Sequence, residues 1–269
     1  MIYFCPYMMA TRRPGNPADM KLSRLTFAAA FAVLAFANPA AGGEPKAVVE
    51  LFTSQGCSSC PPADKLLGNL AHDPSVIAVS LPVDYWDYLG WKDTLALKGH
   101  GKRQRAYSVA RGDGAVYTPQ AVVNGVVHAL GSDKAAIEDA VAKSRGDRLA
   151  LRLAVKAAIE DGRIVVNVPG IEGEPVTAEV WLCPVTDKIE VTIQRGENRG
   201  QNLNYYNVVR RWVKLGNWSG KAETFTLPLS EIPNANFTLS DVNHFVVLVQ
   251  NSVNGKPGLM VGAATVAMK

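Results

Sequence analysis

Two cysteines at C-x-x-C spacing, Cys57-Ser58-Ser59-Cys60, are the residues of this chain best suited to chemistry. A thiolate attacks a disulfide sulfur, and a second thiol one turn on can displace the product and close an intramolecular disulfide. Cys57 is then the nucleophile and Cys60 the resolver. No Lys, Arg or His stands between them. Ionisation of Cys57 is therefore expected to rest on the start of a following helix, where free backbone N–H groups and the helix dipole favour an anion. The pattern does not set the direction of electron flow. Two other uses of the same thiols stay open. One is a plain disulfide, whose short loop gives a modest entropic benefit, in a non-enzymatic binding module whose β-rich second half carries the recognition. The other is soft-metal ligation for copper or zinc delivery. His72, His100, His128 and His244 stand at no ligand-like spacing from the pair, so no metal residue is assigned.

The elements around the pair have a recognisable order. Ala47–Thr53 reads as a buried strand, Ala63–Leu70 as a helix, and Val76–Val83 as a second buried strand. Trp91 to about Ala110 reads as partly helical, with Gly99 and Gly101 expected to break or kink it. Ala121-Val122-Val123 is a third strand, Asn124-Gly125 a hairpin turn, and Val126–Leu130 the returning strand. Ser132 is the expected cap of a helix over Lys134–Lys143. Continuous apolar strands alternating with helices predict a central mixed sheet flanked by helices over residues 44–146. From residue 147 to 269 the period changes to two, as in Leu149, Leu151, Leu153 and Val155, and later around Tyr205–Val213 and Phe245–Val249. Turn signals such as Asp161-Gly162, Pro169-Gly170 and Asn254-Gly255 separate these runs, which predicts an all-β, sandwich-like second domain.

With Tyr117-Thr118-Pro119-Gln120 leading into the third strand, the order of elements resembles the thioredoxin superfamily. The stretch Val49-Glu50-Leu51-Phe52-Thr53-Ser54-Gln55-Gly56-Cys57-Ser58-Ser59-Cys60-Pro61-Pro62-Ala63-Asp64 is similar to the secreted bacterial domain-of-unknown-function family 1223. Val83-Asp84-Tyr85-Trp86-Asp87-Tyr88-Leu89-Gly90-Trp91 fits the same family, and the resemblance extends through the β-rich half. It implies a thioredoxin-like domain with a cis Pro119 facing the cysteines and Thr118 offering backbone groups to an incoming peptide. It also implies a buried acid beneath Cys60, for which Glu50 is the candidate. The alternatives are a surface glutamate and an ordinary trans proline. Asp84, Tyr85 and Trp86 follow the second strand, so they emerge on the edge that carries Cys57 and either line a substrate groove or pack down onto the domain.

Other residues read more plainly. Lys102, Arg103, Arg105 and Arg111 form a basic stretch expected on a solvated helix face. Cys183 lies in an apolar run and is expected to be buried and inert. Arg195, Glu197, Asn198 and Arg199 make a polar turn expected to dock onto the first domain.

Residues 1–43 read as leader. Met20-Lys21-Leu22-Ser23-Arg24 is a basic head and Leu25 to Ala37 an apolar stretch. Small residues follow up to Gly43, the order of a cleavable signal peptide. Export to the periplasm or beyond favours persistent disulfides. Residues 1–41 hold Arg12, Arg13, Lys21 and Arg24 against Asp19, so most of the net charge of +4 belongs to the leader. Basic charge thus gives no support for nucleic-acid binding, and no membrane span is expected after cleavage. The chain lacks C-x-x-C-H, G-x-G-x-x-G and P-loop patterns, so no cofactor is expected. The expected partner is a protein thiol or disulfide.

Overall fold

A computed structural model describes residues 45–173, 176–253 and 255–268. The expected signal peptide and Asn254 of the Asn254-Gly255 turn lie outside the described residues. Strand β1 (Ala47–Thr53) is buried along its whole length. It pairs in parallel with β2 (Val76–Pro82) and antiparallel with β3 (Gln120–Val123), so neither edge nor face meets water. An unbroken run of apolar residues suits such a central strand. β3 turns through Asn124-Gly125 into β4 (Val127–Leu130). Both turn residues take positive φ, 47° and 77°, as a tight hairpin turn of matching twist requires. Gly125 is required for a second reason: a Cβ there would meet the Gly258 carbonyl oxygen at 2.1 Å.

Alternation along β1 divides its surroundings. Val49 and Leu51 pack with Ala63 and Leu67 of helix α1 (Pro61–Leu70) and with Ile137 and Ala140 of helix α3 (Lys134–Ser144). Val48 and Phe52 face the other way, toward Tyr107 of helix α2 (Lys98–Arg111). Helix α2 is not broken by its glycines. Gly99 and Gly101 both fall in its first turn, where few backbone bonds depend on them. The cap of α3 is Asp133, whose carboxylate accepts from the Ala136 N–H, rather than Ser132.

The expected helix-flanked thioredoxin-like domain followed by an all-β sandwich is not what the chain forms. The molecule is mostly β, with three α-helices among the described residues. A single nine-stranded mixed sheet takes strands from both sides of residue 146. Strands β7 (Ala178–Thr192), β8 (Asn202–Val209), β11 (His244–Val253) and β12 (Lys256–Ala267) continue it in the order β12-β11-β7-β8-β2-β1-β3-β4, and β9 (Val213–Trp218) also pairs with β7. The join is one parallel pair, Ser80 with Val208. The physical reason lies in β2, whose outer edge needs a partner, and in the face of β1 that carries Val48 and Phe52. That face packs against Cys183, Val185, Val246, Leu248 and Met260 from the later strands as well as against α2. Apolar runs show which segments are strands, but not which edge each strand joins.

A second sheet of three strands, β5 (Lys156–Glu160), β6 (Arg163–Val168) and β10 (Glu223–Pro228), buries Val166, Val168 and Phe225 against Val180, Leu182, Val247 and Val249 of the large sheet. One layer of this face-to-face packing is therefore the shared sheet itself. The alternating stretch from Leu149 to Val155 is not a strand. Leu153 alone makes an isolated bridge, to Gly262.

Candidate functional site

Cys57 and Cys60 are joined as a disulfide, with Cα atoms 5.4 Å apart, in the turn between β1 and α1. Cys60 is the N-cap of α1, and the Ala63 and Asp64 N–H groups donate to its carbonyl at 2.8 and 3.1 Å. Cys57 lies a turn before the helix, so the expected placement of Cys57 at the helix start falls instead on Cys60. The helix end also offers few donors, because its first two positions are Pro61 and Pro62, which carry no N–H. The Ser59 hydroxyl stands 3.4 Å from the Cys57 sulfur. A disulfide sulfur has no proton, so Ser59 donates. Cys57 is 2% exposed and Cys60 fully buried, while Ser58 and Ser59 between them are exposed.

The approach to the pair is fastened from several sides. The Gln55 N–H donates to Asp93 Oδ2 at 2.8 Å, and the Gln55 side-chain oxygen accepts from Trp91 Nε1 at 2.8 Å. Gly56 touches Trp86, since a Cβ on Gly56 would stand 2.9 Å from the Trp86 Cβ. Trp86 Nε1 donates to Thr118 Oγ1 at 2.7 Å. The Thr118–Pro119 peptide is cis. Because Phe52 pairs with Gln120, the register puts Pro119 at the end of β1, where the chain leaves for Cys57. Cys57, Cys60, Trp86, Thr118 and Pro119 thus gather at one end of the central strand. Tyr85 instead packs down, its hydroxyl donating to Gln104 at 3.1 Å, and Asp84 faces Gly101 of α2.

Glu50 lies elsewhere. It is fully buried, but it points to the α2 side of the sheet while α1 and Cys60 occupy the other. Its carboxylate accepts from Arg103 Nε at 2.7 Å and from the Tyr107 hydroxyl at 2.5 Å. Arg103 Nη2 donates to Gln250 at 2.8 Å, and its guanidinium lies 4.2 Å over the Trp212 ring. Arg103 is therefore an interior cation rather than part of a solvated face. Cys183 is buried, and burial pushes its thiol far up.

Asp64 lies on α1 one helical turn after Cys60, a spacing at which side chains are neighbours. It is 3% exposed and neither carboxyl oxygen has a hydrogen-bond partner. Burial pushes its pKa well up, the facing Thr53 hydroxyl pulls it part of the way down, and Asp93 adds a smaller push up. Burial likewise raises Asp93 to about 6, against the pull of the backbone N–H groups it holds. The Tyr205 hydroxyl, also unpartnered, completes this pocket of acids. Sequence reasoning missed Asp64 because an acid at the start of a helix reads as an ordinary dipole complement.

Folding raises the proton affinity of Asp64, so above the ordinary carboxylate range the folded state holds more protons than the unfolded. Its stabilising protonated form is complete below 3.8 and is lost as pH rises through the folded pKa. Asp64→Asn removes that dependence. The variant's stability relative to the parent should therefore climb steadily from about pH 4 upward in urea titrations. A constant offset at every pH would show that the carboxyl is not held protonated.

Among the described residues, no three His, Cys, Asp or Glu side chains are grouped as metal ligands would be. No helix among them is long and apolar enough to cross a membrane. The structure is similar to the crystal structure of protein AGR_C_4864 from Agrobacterium tumefaciens, with 32% identity and a TM-score of 0.73. The match covers 84% of this chain and 95% of that one. No curated protein matches the chain. A family model matches residues 48–250, and on that match the chain belongs to the family described as protein of unknown function, DUF1223.

Proposed function

We propose that this protein carries out thiol–disulfide exchange on a protein partner through Cys57 and Cys60, in the exported compartment that residues 20–43 address. The observation that carries the reading is a C-x-x-C disulfide whose second cysteine caps α1 one helical turn before a buried acid with no hydrogen-bond partner on its carboxyl oxygens. An unpaired buried carboxyl lowers stability and adds nothing to a structural crosslink. Beside a cysteine that must gain and lose a proton, it has a use.

In the oxidising direction a partner thiolate attacks Cys57 Sγ, the Cys57–Cys60 bond breaks, and Cys60 leaves as a thiolate that takes the Asp64 proton. A second partner thiolate then attacks the partner sulfur of the mixed disulfide and releases Cys57. The partner loses two electrons and gains a disulfide, and this protein becomes the dithiol. The reducing direction is the reverse. Thr118, with Trp86 bonded to it, borders the surface where a partner chain would lie.

One observation favours a second reading, a purely structural crosslink: both sulfurs are buried. The reduction potential separates the two. Exchange predicts a value between about −270 and −120 mV with catalysed insulin reduction, whereas a structural bond sits below about −300 mV and does not turn over.

A further inference from the structure

Cys57 is buried, and the turn that carries it is held by contacts from the far part of the chain. The loop joining β7 to β8 is closed by the Gly200 N–H donating to the Ile193 carbonyl at 2.8 Å and by the Ile193 N–H donating to Gln201 at 2.9 Å. From its tip the buried Asn198 side chain donates to the carbonyls of both Gln55 and Cys57, each at 2.9 Å. These two carbonyls bracket Gly56, so one amide group fastens the turn leading into the disulfide. Next to it the Glu197 carboxylate accepts from the Ser58 N–H at 3.2 Å. Gly196 lies against Trp91, where a Cβ would stand 3.5 Å from the Trp91 Cβ.

The chemistry of these contacts bears on both access and ionisation. A partner sulfur must approach Cys57 along the S–S axis, and a cysteine only 2% exposed offers little room for that approach. The Ser58 N–H is the first donor after Cys57, and hydrogen bonds to an anion favour its charged form. Here that donor is taken by an anion, which also repels a thiolate nearby.

We propose that Glu197 and Asn198 are positioning residues through which the β7–β8 loop keeps Cys57 covered and disfavours its thiolate, so that exchange requires the loop to lift. This rests on the thiol-exchange reading above. A partner that offers its own acceptor to the Ser58 N–H displaces Glu197 and uncovers the sulfur in one movement. The other charged or titratable groups around the turn are Asp93 on the Gln55 N–H, Asp64 on α1, and Arg195 and Arg199 beside Glu197. None of these is changed in the variants below.

The test is alkylation of the fully reduced protein by iodoacetamide, mapped by peptide mass spectrometry, with buried Cys183 reporting any loss of fold. Asn198→Ala removes two hydrogen bonds and should speed labelling of Cys57 at least about tenfold. Glu197→Gln keeps an acceptor for Ser58 but removes the charge. It should speed labelling about threefold at low salt and move the Cys57 pH profile to lower pH, with the gain shrinking near about 1 M salt. Rates within a factor of about two of the parent in both variants, with Cys183 protected, overturn the proposal. If Asn198→Ala also exposes Cys183, the Glu197→Gln pH profile decides alone. Faster labelling without any exchange on insulin overturns the functional reading and leaves the covering role of the loop standing. Unchanged labelling in a protein that does exchange overturns the loop's role alone.

Discussion

Cys57→Ser lowers exchange activity at least about a thousand-fold, to the uncatalysed background, because a serine hydroxyl is not ionised near neutral pH and forms no mixed disulfide. Cys60→Ser behaves differently. The first attack survives, the resolving step does not, and one partner chain accumulates on each protein as a mixed disulfide through Cys57. Trapping by the Cys57→Ser protein, with Cys60 as the attached residue, would reverse the assignment. The assignment of Cys60 as resolver rests on Asp64, which lies one helical turn after it on α1. Unfolding does not explain the loss. A loop this short restricts the unfolded chain little, so breaking the bond costs about 2 kcal/mol at most on the chain-entropy view. Circular dichroism and the urea midpoint should confirm a folded variant in both cases.

Arg103→Met has the largest expected effect on stability. It leaves the Glu50 carboxylate fully buried with a tyrosine and no cation, and breaking one side of a buried pair costs about 3–5 kcal/mol. For a chain of this size that corresponds to a fall in Tm of roughly 10 °C. Adding Glu50→Gln should recover most of it, because a neutral amide takes the place of the orphaned charge. A double variant no more stable than the single one would mean that Arg103 acts by packing on Trp212 and Tyr107 instead. Glu50→Gln alone also separates the two acids. The pH profile of exchange should stay unchanged, whereas Asp64→Asn should shift it.

Much of the first half was legible because its signals are local. The apolar run of β1, the Asn124-Gly125 turn and the helices before and after it follow from residues within a few positions of each other. The clustering of Cys57, Cys60, Thr118 and Pro119 was expected only through the family resemblance, because residues about 60 positions apart share no local signal. Glu50 was misplaced by the side of a strand. Its alternation with Val49 and Leu51 set the face it shares with Val48 and Phe52, but not which helix covers that face. Asp64 carried no signal at all, since only the packing of α1 against Thr53 and Tyr205 makes its carboxyl solitary. The docking of Asn198 was expected in outline, and its two carbonyl partners were not.

Local composition was enough to mark out the C-x-x-C cysteine pair, its position after a buried strand, and the β-rich character of the chain beyond residue 146. Those properties depend on backbone preferences and on sulfur chemistry that operate over a few residues. Sheet partnership is different, because every strand edge presents the same N–H and C=O groups and any other edge can satisfy them. The union of both halves in one nine-stranded sheet, and the reach of Asn198 to the Cys57 carbonyl across 141 positions, depend on long-range packing that no short segment encodes.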